Sequence, residues 1–73
     1  MNGRKAKARI EGQLTELKLN LENNYKDLAR QACRDLGSLI GKLYDAGELK
    51  EKDYKKYLKT AQDYEERMKD YHH

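Results

Sequence analysis

The chain has 73 residues, 40% of them charged, and its sixteen Lys and Arg against thirteen Asp and Glu leave a net charge of only +3. That length allows one small domain, and ten Leu with two Ile, without Val, Phe or Trp, supply a modest core. Four β-branched residues (Ile10, Thr15, Ile40 and Thr60) are too few for a sheet, no apolar run nears the roughly 20 residues of a membrane span, and with proline absent nothing forces a helix to break. The expected class is all-α, in a single helical domain over 1–73.

Residues 1–9 carry Arg4, Lys5, Lys7 and Arg9 ahead of the first acid, Glu11. No hydrophobic core follows, so this start is not expected to be a signal peptide. Placed on a helix, the four cations point in all directions. They read as a basic N-terminal arm that neutralises phosphates without reading bases, or as a solvated, fraying end.

Ile10, Leu14, Leu17 and Leu21 then form a narrow apolar stripe. At about 100° per residue it stays in phase with Tyr25, Leu28, Ala32, Leu36, Leu39 and Leu43. That phase predicts one helix over 4–45, about 63 Å long at 1.5 Å per residue. Asn20, Asn23 and Asn24 oppose it as weak helix formers, and Asn24 with Asp27 can form an N-cap and its N3 acid. Two architectures stay open. In one, the long helix exposes its stripe and needs a second copy, giving a homodimer. In the other, the chain turns at 20–24 and closes a three-helix bundle. Both put the N-terminal segment on the flank lined by Cys33, Ile40 and Tyr44.

The remainder reads as an antiparallel hairpin, about 22–45 with 50–71. Tyr25, Ala29, Ala32, Leu36, Leu39 and Leu43 alternate steps of four and three, as do Tyr54, Tyr57, Ala61, Tyr64, Met68 and Tyr71. This is the spacing of a coiled-coil seam. Reversal near residue 48 pairs Leu43 with Tyr54, Leu36 with Ala61, Ala32 with Tyr64 and Tyr25 with Tyr71, which sets large against small at several levels. Within the turn at 46–50, Gly47 suits the left-handed position that ends a helix. Lys50 is a poor N-cap, offset by the acidic first turn of Glu51 and Asp53 and by a hydrophobic staple of Leu49 on Tyr54.

Leu39 and Leu43, then Asp45-Ala46-Gly47, Leu49 and Asp53-Tyr54 give residues 36–58 a pattern that resembles the short C-terminal domain (SHOCT) family of small helical hairpins. Lys50 departs from it, standing where that family has Thr or Ser. The resemblance implies a bacterial interaction hairpin and brings no catalytic residues.

Candidate sites follow from helical placement. Gly37 and Gly41 make a small-xxx-small pair beside Ile40 and Tyr44, either a close-approach groove for a partner helix or tight packing within the bundle. With the stripe Ile10, Leu14, Leu17 and Leu21, they form the expected partner-binding set. Lys52, Lys55, Lys56 and Lys59 lie opposite the seam, as a solvated face or a phosphate-contacting strip. Tyr57, Tyr64 and Tyr71 recur at one heptad position, which suits core rings with hydroxyls at the rim. Arg30 and Arg34 sit one turn apart, and Cys33 between them is expected to pack inertly. His72 and His73, a disordered tail or a tag remnant, have too few companions for a metal site. No nucleophile, base and orienter come together, so no enzymatic activity, cofactor or metal is expected. The resulting expectation is a cytoplasmic helical protein–protein interaction module, bacterial or from a mobile element, acting as an adaptor or inhibitor and self-associating. The alternative is a nucleic-acid-binding accessory protein using Arg4, Lys5, Lys7 and Arg9 with the Lys52–Lys59 strip.

Overall fold

The structure, a computed structural model, describes residues 3–69. Three helices follow in order, α1 (Arg4–Glu22), α2 (Lys26–Asp45) and α3 (Glu51–Met68), with no strand among the described residues. The chain reverses at 23–25 and again at 46–50. α2 therefore opposes both neighbours while α1 and α3 run parallel, tied by Lys7 Nζ to Asp53 Oδ2 at 3.3 Å and by the Tyr57 hydroxyl donating to Glu11 Oε2 at 3.1 Å.

Both reversals use the same backbone device. Asn24 (φ +60°) and Gly47 (φ +76°) sit in the left-handed region. At the first, the Asn24 and Tyr25 N–H groups donate to the carbonyls of Leu21 and Asn20. At the second, the Gly47 and Glu48 N–H groups donate to those of Tyr44 and Leu43. Each is the paired closure that satisfies the last free carbonyls of a helix. Of the two architectures left open, the structure has the three-helix one, turning just after Glu22, and not the single helix over 4–45. Asn is the side chain most tolerant of left-handed backbone after Gly, so Asn24 ends α1 and does not cap α2, whose N-cap is Tyr25.

The cations of the basic start are helical from Arg4 onward. Arg4, Lys5, Lys7 and Arg9 lie in the first two turns of α1, although Gly3 offers no side-chain cap and no acid stands in the first turn. Placing cations at the positive end of a helix is unfavourable. Burial of Ala6 and the Lys7–Asp53 pair act against that cost.

The core is wholly apolar among the described residues. Ile10, Leu17, Leu36 and Ile40 are fully enclosed, and Ala6, Leu14, Ala29, Ala32, Cys33, Leu43, Leu49, Tyr57, Ala61 and Met68 complete it. No buried polar side chain is left in it. The wide apolar arc of α2 is shared between its neighbours. Gln13 of α1 donates to the Ala32 carbonyl at 3.2 Å, whereas the Cys33 thiol donates to the Ala61 carbonyl of α3 at 3.6 Å. Both α1 and α3 pack chiefly on α2 and only slightly on each other.

This reverses the expected placement of the N-terminal segment. Cys33 and Tyr44 face α3, with the Tyr44 and Tyr54 rings stacked at 4.0 Å, and Ile40 is fully buried in the core. Of the pairs expected across the hairpin, Leu36 and Ala61 are both buried in the same core, where the Ala61 carbonyl also accepts from Cys33. Tyr25, expected as a seam residue, is 54% exposed at the first turn. Its expected partner Tyr71 lies outside the described residues, as do His72 and His73.

Candidate partner-binding face

The expected partner-binding set divides in two. Ile10, Leu14, Leu17 and Ile40 are consumed by the core of a single chain, and Leu21 packs half-buried against it. They present no surface in this conformation because α1 folds back on α2. Gly37, Gly41 and Tyr44 remain half-buried on the outer shoulder of α2. Tyr44 is occupied by its stack on Tyr54.

The two glycines are not explained by packing within the chain. A Cβ built at Gly37 or Gly41 meets nothing within 4 Å, so neither serves a close helix approach in this bundle. Beside them, Cys33, Arg34, Gly37 and Ser38 of α2 face Leu58, Ala61, Gln62 and Glu65 of α3 across an open crevice of about 330 Å³. A second crevice, of about 230 Å³, continues it through Arg30, Met68 and Lys69 and shares Cys33, Arg34 and Glu65. Together they form one furrow down the α2–α3 side, with an apolar floor and charged rims.

Cys33 lies on that floor. Its thiol is pushed up from its ordinary value, chiefly by burial and further by the negative charge of Glu65. Burial outweighs the arginines on the rim, so the sulfur stays protonated at neutral pH and lacks nucleophilic character. The inert packing expected of Cys33 agrees with this placement.

The cationic strip is exposed but partly engaged. Lys55 pairs with Glu51 at 3.0 Å, and Lys56 lies 5.6 Å from the centre of the Tyr57 ring. Lys52 and Lys59 project from the same outer face. Arg4 and Lys7 line a separate hollow with Lys50, Glu48 and Asp53 at the turn end of the bundle, where acids interrupt the positive charge. Among the described residues, no group of three or more His, Cys, Asp or Glu is arranged to hold a metal ion, and no helix is long and apolar enough to cross a membrane.

The α1–α3 link was not read from the sequence. Burial pushes the Tyr57 phenol up from its ordinary range, and its hydrogen bond to Glu11 with the charges of Glu11 and Asp53 adds to this. A raised folded-state value means the contribution to stability is complete below the unfolded-state pKa of about 10 and is lost as pH climbs through the folded one. Tyr57→Phe is therefore expected to lower stability at neutral pH by about 0.5–1.5 kcal/mol. Urea unfolding across a pH series should show the gap closing above about pH 10.

No protein-family model, curated protein or solved structure matches this chain.

Proposed function

We propose that this chain is a helical interaction module of adaptor or inhibitor type, which acts by binding another protein and not by chemistry. A helix of the partner packs along Gly37 and Gly41 and into the adjoining α2–α3 furrow. The observation that carries this reading is the open space over both glycines. Each weakens α2 by roughly 1 kcal/mol relative to Ala, and no helix of the same chain uses the room it leaves. Small residues one turn apart let a second helix approach closely, and the furrow beside them supplies apolar area. The resemblance of residues 36–58 to an interaction hairpin points the same way. The module works in the cytoplasm, where lone Cys33 remains a thiol.

Two measurements test this. Gly37→Ala and Gly41→Ala are each expected to raise stability in urea unfolding by up to about 1 kcal/mol, since the added methyl displaces nothing. A photo-crosslinking residue at exposed Ser38 should then join the chain to one protein in its native host, and Gly37→Leu or Gly41→Leu should abolish that product while the fold persists. An adduct unaffected by either leucine would refute the groove.

A further inference from the structure

The first turn leaves two large side chains in water, and their helical phase identifies what covers them. Tyr25 is 54% and Leu28 57% exposed, although both continue the stripe of Leu14, Leu17 and Leu21 at helical phase. Only the left-handed Asn24 and its neighbours interrupt that stripe. We infer that residues 23–25 are a hinge through which two copies exchange α1, each α1 docking on the α2–α3 pair of the other. Moving Asn24 from the left-handed to the helical region joins α1 and α2 into one rod. The detached α1 then re-forms across the pair every contact it makes in the closed chain, including Lys7 to Asp53 and Glu11 to Tyr57.

Because α1 and α2 pair antiparallel in the closed chain, the two rods of the exchanged pair cross antiparallel at their hinges. Tyr25 and Leu28 then meet the same segment of the second copy. Closed and exchanged forms thus share the same interior, and the exchanged form adds burial of the two residues that the turn exposes. A connection of only three residues between packed helices favours such exchange. The second copy is the occupant because the exposed positions belong to an apolar pattern whose other members are already satisfied by this chain's own α2 and α3. This inference is independent of the Gly37–Gly41 groove, whose leucine variants leave the hinge untouched.

The test is to shift the hinge in both directions. Asn23→Ala with Asn24→Ala favours helix through the hinge and should double the mass seen by light scattering from 8.6 kDa. Asn24→Gly, which suits the left-handed position, should hold the closed monomer. Chains carrying Lys7→Cys and Asp53→Cys, each with Cys33→Ser, are then unfolded, mixed and refolded. A short bismaleimide should link one of each kind into a two-chain product. A folded monomer of the double-alanine chain, or a dimer without that cross-link, overturns the exchange. Should the double-alanine chain fail to fold, the same cross-link with the natural hinge at high concentration decides the matter, its absence again overturning the proposal.

Discussion

Replacing Leu17 or Leu36 by Ala is expected to lower the unfolding free energy by roughly 2–5 kcal/mol, the range for core truncations that leave a cavity. Both side chains are fully enclosed, one contributed by α1 and one by α2. A domain of this kind has about 5–15 kcal/mol in total, so either change should move a urea midpoint far. Leu19 gives the control. It belongs to the same helix as Leu17 but is 52% exposed, and Leu19→Ala should stay within about 0.5 kcal/mol of the parent. Equal effects at Leu17 and Leu19 would mean that α1 does not use this face to pack on α2.

A still larger loss is expected for Ile40→Lys. Ile40 is fully buried, and the core around it contains no buried polar side chain. An ammonium group there has nothing to pair with, and an uncompensated buried charge costs several kcal/mol. At neutral pH the variant should lose its cooperative thermal transition by circular dichroism. The lysine must be neutral to remain inside, so its folded-state pKa would be depressed. Stability should then recover in part as pH rises from neutral towards about 9, below the unfolded-state lysine value of about 10.4. A normal transition at neutral pH would show that position 40 reaches solvent.

The helices themselves were legible. Steps of three and four marked α2 and α3, and Gly47 marked the turn between them, because those signals are local. Four features were not. The phase shared by residues 10–21 and 25–43 argued for a continuous helix against the turn that Asn20, Asn23 and Asn24 kept open, and phase cannot register a left-handed residue such as Asn24, whose effect is a reversal of direction with no change of pattern. The division of α2 between its neighbours was equally hidden. Cys33 and Tyr44 share a flank with Ile40 in the pattern, and nothing in either residue assigns it to α3 in preference to α1. The pairs Lys7–Asp53 and Glu11–Tyr57 depend on a parallel alignment that exists only after both turns are made. Once that alignment is known, their matching four-residue spacing is the natural signature of two parallel helices in contact. The open space over Gly37 and Gly41 was not in the pattern either, since small residues at that spacing serve close approach and empty surface alike.

The two short reversals have a kinetic consequence. Each helix packs on the one before or after it, and three or five residues connect them. Native contacts therefore lie close along the chain, and little loop entropy opposes their formation. Helical bundles of such local topology fold within microseconds to milliseconds. α2 is the element common to both hairpins, so either end of the molecule can order first on it, and newly made chain can settle α1 on α2 before α3 has been synthesised.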